Sequence, residues 1–147
     1  MEEKIRLEVG NNPVFKAFKK VDRKLFVPKR WEIYAYSDSA IPLNGESSIS
    51  QPTLVAEMID LLDLKGEERV LEIGTASGYS AAILSYCCKE VDTVEIDSSL
   101  ASSVKERLMR LGFDNITVHL GDGSECLSSK APFDAIIVTA AVSKIPK

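Results

Sequence analysis

Between Arg69 and Ile96 the chain runs through Arg69-Val70-Leu71-Glu72-Ile73, a glycine turn from Gly74 to Gly78, a small-residue segment from Ser80 to Cys88, and a second apolar run from Val91 to Ile96. A strand-length apolar run, a sharp turn, a helical stretch and another apolar run read as a β-α-β unit. That unit constrains the fold more than any other feature, because parallel strands joined by a helix cross over right-handedly and need a sheet to sit in. Ser98 to Leu111 reads as a further helix, with Leu100, Val104, Leu108 and Leu111 on one side and Gly112 placed to end it. Ile116 to Leu120 reads as a third strand. Phe133 to Thr139 reads as a fourth, an unbroken apolar run suited to a sheet buried on both faces. The expected architecture is α/β with a parallel sheet and ligands at the carboxyl ends of its strands. An open parallel sheet normally continues past such a fourth strand, yet only Ala140 to Lys147 follow, so a fragment or shortened protein is expected, with the fourth strand as an exposed edge able to pair with a second copy.

The first 50 residues differ in texture. Asn12 followed by Pro13 is an N-cap with proline at the first helical position, and Val14, Phe15, Phe18 and Val21 form one apolar stripe of a helix that should stop before Phe26-Val27-Pro28. Tyr34 to Glu46 carries Pro42, Asn44 and Gly45 and no helical period, so it reads as irregular chain. From Ser50 a helix is expected, with Leu54, Val55, Met58, Ile59, Leu61 and Leu62 on a wide apolar face ending near Lys65-Gly66. No repeat or linker divides the chain, so residues 1–147 read as a single domain. Residues 1–50 form its N-terminal segment and residues 51–147 its sheet core.

Composition narrows the partners. With 147 residues, 45% of them hydrophobic, the chain can bury one real core but not two. A formal net charge of -4 gives no broad electrostatic grip on nucleic acid. No apolar run approaches the roughly 20 residues of a membrane span, and Met1-Glu2-Glu3-Lys4 does not begin a signal peptide, so no membrane partner is expected and the cytoplasm is the expected address. Three cysteines, Cys87, Cys88 and Cys126, are expected as free thiols. One histidine, His119, and no C-x-x-C give no metal site, and His119 in the alternating run of Ile116, Val118 and Leu120 reads as a strand side chain rather than half of a Cys/His pair.

Each of the first three strands ends in something chemical. Glu72-Ile73-Gly74-Thr75-Ala76-Ser77-Gly78 does not fit the G-x-G-x-x-G turn that cradles a pyrophosphate, and an acid at the strand end repels phosphate but suits a cationic ligand. The second strand ends in Val94-Glu95-Ile96-Asp97, about twenty residues past Gly74, where a nucleotide-binding sheet sets an acid against ribose hydroxyls. Glu95 is the ribose candidate; the alternative is a solvent-facing charge, with Asp97 acting only as a helix cap. The third strand ends in Gly121-Asp122-Gly123, where a carboxylate can accept from an adenine amino group and glycine permits close approach, although Asp-Gly alone is a turn. In series the three make an adenosine-shaped row.

The order of Glu72 to Gly78, Glu95 and Asp122-Gly123 resembles the class I S-adenosylmethionine-dependent methyltransferases. Arg23-Lys24-Leu25-Phe26-Val27-Pro28, Tyr34 to Pro42, Ser48-Ile49-Ser50-Gln51-Pro52, Leu71 to Tyr79, Pro132-Phe133-Asp134 and Thr139-Ala140-Ala141 resemble, more narrowly, the protein-L-isoaspartate O-methyltransferases. The resemblance implies a Rossmann-like three-layer sandwich with a mostly parallel sheet, here without the family's C-terminal strands. It further implies methyl transfer from S-adenosyl-L-methionine to the free carboxylate of isoaspartyl residues in aged proteins and peptides. The cofactor would lie on Glu72, Gly74, Thr75, Ala76, Gly78, Glu95, Ile96, Asp122 and Gly123, and the acceptor near Ser48, Ile49 and Ser50, with Ser50 as the catalytic candidate.

A carboxylate with a pKa near about 4 needs no general base at neutral pH, so the poverty in histidine is no objection. Ser50 at a helix start can donate to an anion there or simply cap the helix. Ala76 departs from the family's Gly-Thr-Gly-Ser-Gly loop, and a Cβ at a position needing positive φ costs about 1 kcal/mol. The alternatives are a methyltransferase with another acceptor, or a non-catalytic domain that only binds the cofactor. Amino-nitrogen acceptors are disfavoured because Val138-Thr139-Ala140-Ala141 stands where an Asn/Asp-Pro-Pro-aromatic segment belongs. A nicotinamide dehydrogenase comes last, since the phosphate turn is missing.

Overall fold

The computed structural model describes residues 1–45, 47–125 and 127–142. Glu46, at the end of the stretch expected to be irregular, and the Cys126 thiol lie outside them.

The element order is α1 (Glu2–Val9), α2 (Pro13–Lys20), two 3-10 turns (Arg23–Phe26 and Lys29–Tyr34), β1 (Ile41–Pro42), β2 (Ser48–Ile49), α3 (Pro52–Asp60), β3 (Arg69–Ile73), α4 (Tyr79–Leu84), β4 (Glu90–Glu95), α5 (Ser98–Arg110), β5 (Ile116–Leu120), a further 3-10 turn (Ser128–Lys130) and β6 (Ala135–Val138). Strands β3 to β6 form a parallel sheet in the order β5-β4-β3-β6, while β1 and β2 pair antiparallel as a short hairpin.

Register decides which residues share a face. Ala135, Val70, Val91 and Ile116 lie in one row, and Ile137, Glu72, Thr93 and Val118 in the next row of the same face. Against that face pack α4 and α5 together with the N-terminal helices, in one apolar core from Ile5, Phe18 and Phe26 through Ile49 and Val55 to Ile83, Val104 and Ile137. On the other face Asp92 is buried and bonded to His119 (2.6 Å) and Lys130 (2.7 Å), which keep its carboxyl below the usual carboxylate range against the opposing effect of burial. His119 is thus a strand side chain in a polar network. On β6, Ile137 is buried but Ile136 and Val138 are 57% and 41% exposed, so among the described residues this strand is covered on one face rather than both.

The element boundaries differ from sequence expectation in four places. Helix α1 was not expected; Met1, Ile5 and Val9 form its i, i+4 stripe, with Ile5 fully buried. Helix α3 begins at Pro52 with Gln51 as N-cap, so Ser50 stands outside it, and it ends at Asp60, leaving Leu61 84% exposed. Helix α4 stops at Leu84: Cys87 and Cys88 both donate their amides to the Leu84 carbonyl in a tight turn that returns the chain to β4. Both thiols are buried and free, and burial pushes them up to about 11 and about 12. The fourth strand is shorter than expected, at Ala135–Val138. No helix among the described residues is long and apolar enough to cross a membrane.

Candidate active site

A cleft crosses the carboxyl ends of the four parallel strands in two adjoining lobes of about 430 and 460 Å³ that share Gly74, Ile96, Ala140 and Ala141. One lobe is walled by Ser47, Ser48, Ile49 and Ser50 on one side and Gly74 to Ser77 on the other. The second is walled by Ile73, Val94 and Gly121 to Ser124. The sheet register therefore brings together the ends of β3, β4 and β5, as the sequence pattern predicts.

The turn after β3 is built mostly by backbone. Gly74 and Thr75 donate to the Val94 carbonyl at 2.9 and 3.2 Å, and Thr139 and Ala140 donate to the Ile73 carbonyl at 2.9 and 3.0 Å. The Thr139 hydroxyl adds a bond to the Gly74 carbonyl at 2.7 Å. A Cβ on Gly74 would stand 2.7 Å from the Ala140 amide nitrogen, at a φ of 101° that side chains avoid. Ala76 has φ 46°, so a side chain stands where the backbone is left-handed.

Glu95 lines the first lobe, nearly buried, and accepts from the Ala76 amide at 2.8 Å through one oxygen and from the Asp97 amide at 3.0 Å through the other. Its lone pairs are not exhausted, since a carboxylate can accept about four hydrogen bonds. Asp97 caps α5, accepting from Ser99 and Leu100 amides at 2.8 and 2.9 Å. Asp97 is thus the helix cap, while Glu95 faces the cleft rather than open solvent. Ile96, between the lobes, is 73% exposed, an apolar side chain left open where a ring can lie. Asp122 lines the second lobe and uses only Oδ1, which accepts from the Ser124 amide and hydroxyl; the amide bond does most to hold its carboxyl below the usual range. Gly123 stands against Ile73, where a Cβ would come to 2.6 Å of Cγ2.

Three expectations change. Glu72 lines neither lobe: it lies fully buried beneath the loop, accepting from the Thr93 hydroxyl at 2.6 Å, which in turn meets the Thr75 hydroxyl at 2.7 Å. Burial above all, with Glu95 adding, pushes Glu72 up to about 7. Its Oε1 has no partner among the described residues; the Ser80 hydroxyl sits near enough to favour its charge without a well-formed hydrogen bond. Gly78 does not line the cleft either; it starts α4 at φ 82° and packs against Val104 of α5. The third change concerns the helix that follows Ser50. The Thr53 amide in the first turn of α3 is already taken by Asp38 at 3.0 Å, so that turn is not an open anion site, and Ser50 is no cap.

Sequence reasoning missed Thr139 to Ala141, Ser47, Ser77, Tyr79 and Ser80, all of which line the cleft. Thr139 to Ala141 follow the fourth strand, and the rule that ligands sit at carboxyl ends would have flagged them. It also missed Arg23, fully buried with its guanidinium on four backbone carbonyls, for which no local pattern exists.

The whole chain, residues 1–147, matches the family model described as protein-L-isoaspartate(D-aspartate) O-methyltransferase. The chain belongs to the protein-L-isoaspartate O-methyltransferase family. It is 46% identical over 142 residues to the protein-L-isoaspartate O-methyltransferase of Roseiflexus castenholzii, covering 97% of this chain and 65% of that one. It is 47% identical over 139 residues to protein-L-isoaspartate O-methyltransferase 2 of Shewanella sediminis, covering 95% and 57%. A solved structure of a protein-L-isoaspartate O-methyltransferase superposes with a TM-score of 0.86 at 31% identity, over 99% of this chain and 50% of that one. A Plasmodium falciparum protein described as a putative member, in complex with S-adenosyl-L-homocysteine, matches at TM-score 0.80 and 20% identity over 99% and 75%, a likeness of fold. The sheet is that of the Rossmann-like class I methyltransferases. The chain spans about two thirds or less of the length of these curated relatives.

Proposed function

We propose that this chain carries the cofactor and acceptor walls of an enzyme that transfers a methyl group from S-adenosyl-L-methionine to the carboxylate of L-isoaspartyl residues in damaged proteins and peptides. The observation that carries this reading is the two-lobed cleft, in which Glu95 shares one lobe with Ser48, Ile49 and Ser50 and Asp122, at the next strand end, lines the adjoining lobe. Family membership supplies the reaction class. Residues 1–50 serve as the acceptor-side segment and 51–147 as the cofactor core of one domain, a reading the single apolar core supports.

The residues present fit the cofactor. No Lys, Arg or His lines either lobe among the described residues, so no cationic side chain there balances a phosphate and two carboxylates face the ligand space, which suits a ligand carrying positive charge. Glu95 would take the ribose hydroxyls, Ile96 the purine face and Asp122 the adenine amino group, while Gly74, Thr75 and Ala76 would border the amino-acid end. When bound, S-adenosylmethionine supplies a methyl group activated on a sulfonium.

The chain's own work is then to orient and dry the acceptor. An isoaspartyl carboxylate is ionised at neutral pH and needs no base. In a lobe without cationic side chains it keeps its nucleophilicity, and holding it in line recovers on the order of 7 kcal/mol or more of barrier. The Ser50 hydroxyl makes no hydrogen bond among the described residues and can donate to one carboxylate oxygen, leaving the other to react. Ester formation is followed by spontaneous closure to a succinimide.

The test is incubation with methyl-labelled S-adenosylmethionine and paired peptides carrying isoaspartate or aspartate, reading methanol released by mild base. Isoaspartate-dependent methanol is the expected result. Base-stable label would mean another acceptor, and cofactor binding without transfer a binding domain only.

A further inference from the structure

We infer that Arg23 is a positioning residue that sets the acceptor wall of the cleft against its cofactor wall. The inference rests on the transfer reading above but is carried by a separate set of contacts. Arg23 is fully buried in a 3-10 turn capped by Asp22, whose carboxylate accepts from the Lys24 amide at 3.0 Å. Its Nη1 donates to the carbonyls of Ala35 and Ser37 at 3.1 and 2.9 Å, and its Nη2 to those of Ser39 and Ser50 at 2.9 and 3.1 Å. Four carbonyls spread over sixteen residues converge on one planar group. Neither salt bridge nor carboxylate hydrogen bond accompanies them among the described residues, and Nε is left without a partner.

The guanidinium also lies beside the helix that follows the cofactor wall. It sits 5.7 Å from the ring centroid of Tyr79, the first residue of α4, directly after the glycine turn. Phe26, on the same 3-10 turn as Arg23, and Phe18 of α2 pack on the same ring at 5.5 and 6.0 Å. One side chain therefore grips Ser50 on one wall and rests on Tyr79 on the other, and both of these residues line the first lobe. The acceptor segment is otherwise anchored by four buried apolar side chains, Ala35, Ile41, Leu43 and Ile49, and by a hairpin of only two residues per strand, with Asp38 on the Thr53 amide and Arg30 on the Leu43 carbonyl as further polar ties; among these contacts Arg23 alone gathers its carbonyls from Ala35 to Ser50. A lysine cannot substitute, because an ammonium has three donors on one point and no fork to span four carbonyls or plane to lie on a ring.

Arg23→Lys is the test variant, read by amide hydrogen exchange, cofactor titration calorimetry and transfer kinetics. The expected result is exchange about tenfold faster or more in residues 35–50, change below about twofold in residues 72–79, cofactor affinity within about threefold of wild type, and kcat for the isoaspartyl peptide down about tenfold or more. Exchange rising evenly across the chain, or cofactor affinity and kcat/KM falling by the same factor, would overturn the inference and leave a general packing role. If wild type transfers no methyl group, the functional reading fails, and the contrast in exchange between the two segments still decides the part of Arg23. Should the lysine variant not fold, arginine-labelled nitrogen-15 spectra of the wild-type chain give the answer. Slowed rotation about the Arg23 Cζ–Nη bonds and a resonance that moves with isoaspartyl peptide more than with S-adenosylhomocysteine support it. Free rotation, or no response to peptide, overturns it.

Discussion

The two walls of the cleft are built by different means. The cofactor wall, Gly74 to Ser77, is held by backbone hydrogen bonds to Val94 and from Thr139 and Ala140, all at the ends of neighbouring parallel strands. The acceptor wall, Ser47 to Ser50, hangs on a hairpin of two residues per strand, on the buried Ile49 side chain and on one distant side chain, Arg23, at the Ser50 carbonyl. A wall made by sheet register tolerates almost no added volume but survives most side-chain changes around it. One that rests on a two-residue hairpin and a single long side chain depends on that side chain. The difference also matches their work: the first must fit one small molecule, while the second must admit a peptide.

The sharpest way to break this contrast is Gly74→Ala. With a Cβ 2.7 Å from a backbone nitrogen at positive φ, it should cost about 3 kcal/mol or more in urea unfolding and abolish cofactor binding, whereas alanine at Ser47 or Ser48 should cost under about 0.5 kcal/mol. Comparable losses at both walls would remove the distinction. Next comes Glu95→Ala, which deletes the acceptor of the Ala76 and Asp97 amides as well as the ribose partner. It should weaken cofactor binding about a hundredfold by calorimetry. Asp97→Ala should instead lower stability by about 1 kcal/mol through the lost α5 cap and change affinity little.

Glu72 sharpens the comparison through pH. Its folded pKa of about 7 lies above the ordinary 4.5, so the folded state holds its proton more tightly than the unfolded chain. The stability it contributes is fully present below about pH 4.5 and lost as pH rises through about 7. Glu72→Gln should therefore gain on wild type between pH 5 and pH 8, by on the order of 2 kcal/mol in chemical unfolding. A gap that does not widen with pH would show that Glu72 is ionised in the folded chain. A gain rather than a loss is expected at Ala76, where glycine should raise stability or cofactor affinity by about 1 kcal/mol or less by relieving φ 46°.

The same division explains what the sequence disclosed. The sheet was legible because period-2 and unbroken apolar runs mark Arg69–Ile73 and Ile116–Leu120 within the chain itself, and strand ends then nominate Glu95, Asp122 and Gly123. The positive φ of Ala76 was not legible in this way: an alanine carries no sign of a left-handed backbone, and only the resemblance to a glycine-containing loop raised the question. Glu72 was misread as a cleft residue because alternation puts it on the helix-facing side of β3, under the loop, which the motif alone does not convey. Ser50 was misread as a helix start because proline at 52 and the remote Asp38, rather than a local serine, form the cap of α3. The contacts of Arg23, noted only within a family-like segment, and the Asp92 network were invisible, since each joins residues far apart in sequence. Helix α1 was missed because eight charge-rich residues with one buried side chain give too short a stripe.

The most direct measurement is a crystal structure of this chain with S-adenosylhomocysteine. The account predicts ribose hydroxyls within hydrogen-bonding distance of the Glu95 carboxylate, the purine against Ile96 with its amino group at Asp122, and the sulfur turned toward Ser48 to Ser50. A nucleoside bound elsewhere, or one in the cleft whose sugar does not meet Glu95, would contradict it.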